Sequence, residues 1–238
     1  MDATLWLKIK GVILDILFPP ICLACEAPLP PENKARQLCA ACFSSIHPHN
    51  TMLCAACGAR LPENKKVCHR DMPYILAAAA PYKDDVVQEL IHALKYRALS
   101  AASVPLAHIM LAYLRELEID FSKFVIVPVP LHSTRKRMRG FNQSELLAEK
   151  IAAGLGLPLV INSLARPKNT KPQAEMENKK SRLENLAGCF ALRNDALRGA
   201  HILLIDDVHT TGATMREAVN TLRLGGAKKV IPLVAARA

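Results

Sequence analysis

The sequence predicts an α/β fold, in which helices pack on a parallel sheet, preceded by a small cysteine-rich module. Two observations predict the sheet: residues 124–127 and 202–205 are uninterrupted apolar runs, as in strands that are buried on both faces. Each run leads through a polar turn into apolar residues at helical spacing. The third observation is that seven of the eight cysteines lie between residues 22 and 68. With 238 residues, the chain can bury a substantial core in one or two domains.

The first predicted element is an amphipathic helix over residues 1–18. Charged residues interrupt its apolar run at Asp2, Lys8, Lys10 and Asp15, and no small-residue cleavage site follows, which argues against a secretory signal. The helix is expected to pack on the body of the protein, and a membrane-surface anchor is the alternative. No uninterrupted apolar window reaches about 18 residues, so no transmembrane helix is predicted.

Residues 19–73 form the second predicted unit, a zinc-ribbon domain. The segment has many prolines and little periodicity, so it needs a covalent or metal staple to fold. Because no export signal precedes it, the paired cysteines favour metal over disulfides. Two Cys-x-x-Cys pairs form one set of four thiolates for a tetrahedral Zn²⁺. The four predicted ligands are Cys22, Cys25, Cys39 and Cys42.

A second zinc site is predicted from a less regular set of ligands. Cys54, Cys57 and Cys68 supply three thiolates, and Asp71 stands where a further Cys-x-x-Cys pair would end. The fourth ligand is Asp71 or His69, or the site has lost its metal. Ligation by His69 directly beside Cys68 strains the usual knuckle geometry. Since spacing does not decide the pairing, ligands interleaved between the two halves are a further alternative.

Residues 76–238 form the third predicted unit, the α/β domain. Apolar side chains at helical spacing predict helices over 85–95 and 101–117. A buried strand follows over 124–130 and is ended by its prolines. The apolar faces of both helices are expected to pack against the core rather than to bind a cofactor.

A basic segment, residues 131–144, follows this strand. It carries four cations within five positions: Arg135, Lys136, Arg137 and Arg139. The segment is either a solvated basic loop or an anion cradle at the carboxyl end of the strand. At its end Asn142 caps a helix that runs to about residue 155, with Glu145 as the capping-box partner.

Residues 164–185 are polar and charged, and include Lys168 and Lys171. A long polar insertion in a compact α/β unit is usually functional or disordered. It is either a lid that closes over a phosphorylated substrate or a plain flexible connector. Cys189 alternates with apolar neighbours and is expected in a buried strand.

The strand over 202–205 ends in Asp206 and Asp207, and a turn rich in Thr and Gly leads from there into a helix over 215–224. Parallel sheets place ligands at the carboxyl ends of their strands, and a helix start offers unpaired N–H groups to a phosphate. The two carboxylates suit hydroxyl groups or Mg²⁺. A ribose 5-phosphate fits both features, and the alternative is a generic strand-turn-helix junction. The last predicted strand covers 230–234.

This motif resembles the site of type I phosphoribosyltransferases for 5-phosphoribosyl 1-pyrophosphate (PRPP). The resemblance implies a Rossmann-like parallel sheet of the type I phosphoribosyltransferase fold, with Mg²⁺-PRPP as ligand. It also implies that Asp206 and Asp207 are the catalytic residues, which hold the ribose hydroxyls. The PRPP-binding residues so implied are Asp206, Asp207, Val208, His209, Thr210, Thr211, Gly212, Ala213, Thr214, Leu131, His132, Arg135 and Arg139.

The whole chain resembles a narrower family, the ComF-type competence proteins, also described as ComFC or GntX-like. The resemblance rests on three features: the Cys-x-x-Cys pairs of the N-terminal part, the segment Arg139-Gly140-Phe141-Asn142-Gln143, and the motif that contains Asp206 and Asp207. It implies a cytoplasmic role in natural transformation, handling incoming single-stranded DNA at the inner face of the membrane, with helicases or DNA-processing factors as partners. Asp71 replaces a cysteine that the family often has.

Two functions follow as hypotheses. The first is a phosphoribosyltransferase with an undetermined acceptor. The second is a non-catalytic, zinc-containing single-stranded DNA-binding factor that uses the same fold to recognise phosphates; the net charge of +10 favours an anionic partner. The candidate stacking residues are Phe43, Phe141 and Tyr96. The candidate DNA-binding residues are Arg135, Lys136, Arg137, Arg139, Lys168 and Lys171.

Overall fold

A computed structural model describes Trp6, Asp15, 17–61, 68, 69, 72–168 and 188–238. Most of the predicted N-terminal helix therefore lies outside the described residues, as do Asp71 and Lys171. In the part that is described, no helix is both long and apolar enough to cross a membrane.

After residue 75 the described elements include both helices and strands. The α-helices are α1 (Ala40–Ser45), α2 (Asp85–Tyr96), α3 (Ser103–Glu116), α4 (Ser133–Arg139), α5 (Gln143–Leu155) and α6 (Ala213–Leu224). The strands are β1 (Met52–Cys54), β2 (Arg60–Leu61), β3 (Ile75–Pro81), β4 (Phe124–Pro128), β5 (Leu164–Ala165), β6 (Ala191–Leu192), β7 (His201–His209) and β8 (Lys229–Arg237). Short 3₁₀ turns cover Pro31–Asn33 and Ser100–Ala102.

Six strands form the main sheet in the order β2-β1-β3-β8-β7-β4. The four strands from β3 to β4 are parallel, whereas β1 pairs antiparallel with β3 through Leu53 opposite Leu76. The cysteine-rich segment thus contributes two strands to the same sheet. The predicted boundary between residues 73 and 76 falls where β1 meets β3, and the division into domains stays a prediction.

The sheet is buried on both faces, as the apolar runs predict. Along β7, Leu203 and Ile205 face a core shared with α2, α3 and α5, whereas Ile202 and Leu204 face a core shared with α6. All four of these side chains are fully buried. The α/β fold with a mostly parallel sheet is therefore confirmed.

The basic segment after β4 is a helix rather than the predicted loop. His132 caps α4 by accepting a hydrogen bond from the Thr134 N–H at Nδ1, and Gly140 ends it in the left-handed conformation (φ 82°). The capping-box role of Glu145 is wrong: its carboxylate lies 2.6 Å from Lys136 Nζ. This ion pair offsets repulsion among the cations, which the sequence pattern alone does not reveal.

Other local expectations are confirmed with small shifts. Asn142 caps α5 by accepting from the Ser144 N–H, and α5 ends at Leu155. The strand after α3 ends at Pro128 rather than at residue 130. Cys189 is buried, but it precedes β6 instead of lying within a strand.

Candidate functional site

A cleft of about 380 Å³ lies at the carboxyl edge of the parallel strands. It contains groups that follow β3, β4 and β7, because these parallel strands all end at this edge. The lining residues are Tyr82, Lys95, Tyr96, Val129, Pro130, Leu131, Arg135, Arg139, Gln143, Ser144, Arg166, Asp206, Asp207, Val208, Thr210 and Thr214.

β7 places two adjacent carboxylates, Asp206 and Asp207, in the lining of the cleft. The Asp207 carboxylate, 8% exposed, lies 2.8 Å from Lys95 Nζ at the end of α2. Asp206 Oδ1 accepts a hydrogen bond from the Ser144 hydroxyl at 2.8 Å and another from the Asp207 N–H at 2.9 Å. Each acid therefore has its own partner, supplied by helices on one face of the sheet.

Burial raises the pKa of Asp206 to about 6, and the neighbouring charge of Asp207 acts in the same direction. Lys95 and Ser144 oppose this shift without cancelling it. Burial alone would lower the pKa of Lys95, but Asp207 more than compensates and raises it. Of the two carboxylates, Asp207 is paired with the Lys95 ammonium group, whereas ionisation of Asp206 is costly until a cation or hydroxyl donors reach it.

The loop after β7 forms an anion-sized recess at the start of α6. Gly212 occupies the N-cap position with φ 75° and has no side chain to satisfy the first-turn N–H groups. A small cavity of about 30 Å³ adjoins this turn and the end of β7. Within the described part of the chain, the buried Thr211 hydroxyl has no hydrogen-bond partner. A helix N-terminus without a side-chain cap, beside a buried hydroxyl, suits a phosphate.

Two buried side chains, Tyr74 and His209, pack against this loop and hold it in place. The Tyr74 hydroxyl lies 3.1 Å from His209 Nε2 and donates to the Gly212 carbonyl oxygen at 3.4 Å. Burial lowers the pKa of His209 to about 4, so the imidazole is neutral near pH 7. A Cβ on Gly212 would lie 2.7 Å from His209 Nε2, which requires glycine at this position.

All of the predicted PRPP-binding residues except Thr211 line one of three neighbouring cavities. Most of them line the cleft itself, including Leu131, Arg135 and Arg139. His209, Gly212 and Ala213 line the small cavity beside α6. His132 lines a second cavity of about 440 Å³, which shares Pro130, Leu131 and Arg166 with the cleft.

The predicted DNA-binding residues lie mainly on α4, a helix with no buried residue. Lys136, Arg137 and Lys168 are exposed, whereas Arg135 and Arg139 are partly buried and turn toward the cleft. Lys171 lies outside the described residues. Among the stacking candidates, Phe43 lies under the Arg36 guanidinium at 4.0 Å, Phe141 packs against the core, and Tyr96 is 69% exposed.

The first cysteine set forms a four-thiolate cluster: the Sγ atoms of Cys22, Cys25, Cys39 and Cys42 all lie within 4.8 Å of one another. Cys25 Sγ and Cys39 Sγ are 3.8 Å apart, close to the roughly 3.8 Å edge of a tetrahedron with Zn–S bonds of about 2.3 Å. Burial alone would raise the pKa of Cys22, but backbone N–H donors, Cys39 foremost, lower it to about 6. The cluster therefore fits Zn²⁺, which binds thiolates.

The second set brings His69 together with Cys54, Cys57 and Cys68. His69 Nδ1 lies 3.5 Å from Cys54 Sγ and 3.2 Å from Cys68 Sγ, and Cys57 Sγ lies 3.5 Å from Cys68 Sγ. These spacings match three sulfurs and one nitrogen around one Zn²⁺. Adjacent ligation is possible here because Nδ1, on the near side of the ring, faces the thiolates. Asp71 cannot be compared, since it lies outside the described residues.

Sequence reasoning missed several cleft residues that other elements bring in. Lys95 and Ser144 contact the two carboxylates, Tyr74 supports the loop, and Arg166 lines both larger cavities. The basic end of the helix predicted over 85–95 was a usable signal for Lys95. Nothing local marks Ser144 or Tyr74, because their partners come from distant parts of the chain.

Together the doubly covered parallel sheet, the acidic pair and the uncapped helix define a phosphoribosyltransferase-type domain, here joined to paired cysteine clusters. Family models agree: the double zinc ribbon domain matches residues 13–71, and the phosphoribosyl transferase domain matches residues 142–238. The chain belongs to the ComFC family of competence and DNA utilization proteins.

Relatives in several bacteria support this assignment. Competence protein ComFC of Bacillus subtilis is 30% identical over 229 residues, covering 85% of this chain and 88% of that protein. DNA utilization protein YhgH of Salmonella typhimurium is 29% identical over 220 residues, covering 89% and 94%. Competence protein F of Haemophilus influenzae is 35% identical over 107 residues, covering 44% and 46%.

Among solved structures, an allosteric regulatory enzyme of purine biosynthesis aligns with 58% of this chain and 26% of its own, at 20% identity and a TM-score of 0.40. A glutamine PRPP amidotransferase from Bacillus subtilis aligns over the same shares at 20% identity and a TM-score of 0.39.

Proposed function

We propose that this protein binds Mg²⁺-PRPP in the cleft and uses it for phosphoribosyl transfer during the handling of DNA. The observation that carries the proposal is that two acids and an anion recess lie close together in the chain. Asp206 and Asp207 lie near the carboxyl end of β7, and the uncapped start of α6 follows after a short turn. A ribose that carries a 5-phosphate has hydroxyl donors and a dianion at matching positions.

The charges of the cleft fit the remaining parts of PRPP. Arg135, Arg139 and Arg166 line its β4 side and can neutralise a pyrophosphate group. Asp206 and Asp207 are the residues that would hold Mg²⁺ or the ribose hydroxyls, and bound Mg²⁺ would neutralise phosphate charge. Lys95 Nζ lies 2.8 Å from the Asp207 carboxylate, and the Ser144 hydroxyl donates to Asp206 and orients it.

The residues available suit catalysis by positioning and charge stabilisation. Transfer from PRPP passes through an oxocarbenium-like state, in which positive charge develops on the ribose ring while pyrophosphate departs. The acids would lie near the developing positive charge, and the arginines near the departing negative charge. Fixed groups of this kind lower the barrier because they need no reorganisation during the reaction.

Direct binding of Mg²⁺-PRPP tests the proposal. Calorimetry on the zinc-loaded chain should detect binding by wild type and none by Asp206→Asn/Asp207→Asn. The matched control is Asp120→Asn/Asp195→Asn, which removes two exposed acids and the same charge. The proposal would be overturned if wild type did not bind Mg²⁺-PRPP, or if Asp206→Asn/Asp207→Asn bound it as tightly as wild type does.

A second proposed function is the binding of single-stranded DNA along α4. The observation that favours it is the exposure of Lys136 and Arg137 on a helix without buried residues, and relatives are named for competence and DNA utilization. Such binding would rest on phosphates and weaken steeply with salt.

Fluorescence anisotropy with a labelled oligo-dT strand tests the DNA proposal. Replacing one phosphate-contacting cation should lower the slope of log affinity against log salt by about 1. Arg137→Gln should show this loss, and Arg223→Gln at the exposed end of α6 should not. An affinity that is independent of salt in wild type would contradict a phosphate-driven mode.

A further inference from the structure

The chain's four tyrosines divide into two pairs with different surroundings. Tyr74 and Tyr113 are buried, and each donates its hydroxyl to a backbone carbonyl oxygen. Tyr82 and Tyr96 instead both line the cleft. Tyr96 is 69% exposed even though the His92 ring contacts it, which is unusual for a large aromatic side chain. Aromatic surface left open at a polar cleft points to a ligand with a flat face.

The two cleft tyrosines are linked into one aromatic wall by His92. The Tyr82 hydroxyl lies 3.1 Å from His92 Nε2. The His92 and Tyr96 rings, one helical turn apart on α2, meet edge to face with centroids 5.4 Å apart. The Tyr82 N–H also donates to the Arg237 carbonyl oxygen, which fixes its backbone at the end of β8. The wall is therefore held in place before any ligand arrives.

The position of this wall follows from the strand order. In the parallel part of the sheet the order is β3-β8-β7-β4. Tyr82 follows β3 at one end, Asp206 and Asp207 lie on β7, and Arg135 and Arg139 follow β4 at the other end. Along the cleft, aromatic rings and cations are thus separated by the acidic pair. Lys95, next to Tyr96 on α2, bonds to Asp207 and ties the wall to the ribose side.

We propose that Tyr82 and Tyr96 form a stacking subsite for a nucleobase. The inference rests on the proposed function, since a ribose on the acids with pyrophosphate toward the β4 cations leaves its other side facing the rings. A nucleobase is flat, polarisable and neutral, so it matches an aromatic wall better than the cationic end. The base is either a free acceptor base or an unpaired base of single-stranded DNA, and both present the same ring to the wall.

Fluorescence of 2-aminopurine, which is quenched by stacking, tests the subsite on the full zinc-loaded chain. One arm titrates the free base in saturating Mg²⁺-PRPP, and the other titrates an oligo-dT strand with one central 2-aminopurine. In at least one arm, Tyr96→Leu and Tyr82→Leu should weaken binding at least about fivefold, as expected for the loss of one base–aromatic stack. Tyr96→Phe should restore it, because the ring rather than the hydroxyl carries the contact.

Phe18→Leu is the matched control, since it removes an exposed aromatic ring that does not line the cleft. Quenching in the free-base arm alone would identify an acceptor base, and quenching in the oligonucleotide arm alone would identify DNA. If wild type binds Mg²⁺-PRPP but shows no quenching in either arm, or if the leucine variants bind as wild type does, the subsite is refuted and the proposed function stands. If wild type binds no PRPP and no base, both fail.

Discussion

The Tyr74 hydroxyl lies 3.1 Å from His209 Nε2 and 3.4 Å from the Gly212 carbonyl oxygen, which it can reach as donor. A neutral His209 that donates from Nε2 to Tyr74 satisfies both contacts at once. Tyr74 comes only a few residues after Cys68 and His69 in the second cluster. The hydroxyl therefore connects the segment that leaves the metal cluster to the loop proposed to hold the ligand phosphate.

Removing this hydroxyl should weaken ligand binding without unfolding the chain. Tyr74→Phe keeps the buried ring and leaves His209 and Gly212 without their shared partner. Loss of one neutral buried hydrogen bond costs about 1 kcal/mol, so Mg²⁺-PRPP affinity measured by calorimetry should fall by roughly five- to tenfold. Tyr113→Phe is the control, because that hydroxyl bonds to Thr51 and not to the loop. Equal losses in both variants would contradict the local role.

A methyl group at Gly212 should disrupt the same loop more severely. Gly212→Ala must adopt φ 75° and place Cβ 2.7 Å from His209 Nε2, so either the backbone or the imidazole has to move. A non-glycine residue in this region costs on the order of 1–2 kcal/mol before the clash is counted. Urea unfolding should show that loss, and Mg²⁺-PRPP binding should become undetectable.

The control for that prediction is Gly140→Ala at the end of α4. This glycine also has a positive φ of 82°, but a Cβ there would meet nothing within 4 Å. The variant should share the loss of stability from backbone strain and keep ligand binding. If Gly140→Ala and Gly212→Ala affect binding equally, strain alone explains the effect and the close approach to His209 does not matter.

Local signals in the sequence were enough to predict the strand, the acidic pair and the helix start, because all three follow one another between Ile202 and Leu224. The partners of the acids could not be predicted in this way. Lys95 and Ser144 reach them only because α2 and α5 pack on the same face of the sheet. The helical form of α4 was missed for a similar reason, since its ion pair to Glu145 joins two elements. Contacts between elements depend on strand order, which periodicity does not encode.

The raised pKa of Asp206 predicts how stability changes with pH. Its folded-state pKa of about 6 exceeds the ordinary value of 3.8, so between these values the folded chain holds a proton that the unfolded chain has lost. The unfolding free energy contributed by this group therefore falls as pH rises through that window, and the penalty is complete above about pH 6. Asp206→Asn removes the penalty while its Oδ1 can still accept from Ser144.

Asp206→Asn should accordingly be more stable than wild type at pH 8, by about 1–3 kcal/mol, although it is expected to lose ligand binding. The advantage should shrink as pH is lowered to 5. Urea unfolding of both zinc-loaded chains at the two pH values measures the difference. Asp195→Asn is the control, since this acid is exposed and should give no such trend. A wild type that gains stability over the variant as pH rises would show the opposite linkage.

The second metal site gives the last prediction, because the structure and the spacing of the sequence point to different fourth ligands. His69 Nδ1 lies within 3.5 Å of two of the three thiolates, whereas Asp71 stands where the spacing would end a further Cys-x-x-Cys pair. Zinc prefers imidazole to carboxylate beside thiolates, and one missing ligand opens a structural site to water and to loss of metal. His69→Ala should therefore lower the zinc content from two ions per chain to about one, and Asp71→Ala should retain both. Elemental analysis after dialysis against a weak chelator measures this, with His47→Ala as the control. Loss of zinc from Asp71→Ala and not from His69→Ala would restore the ligand set that the cysteine spacing predicts.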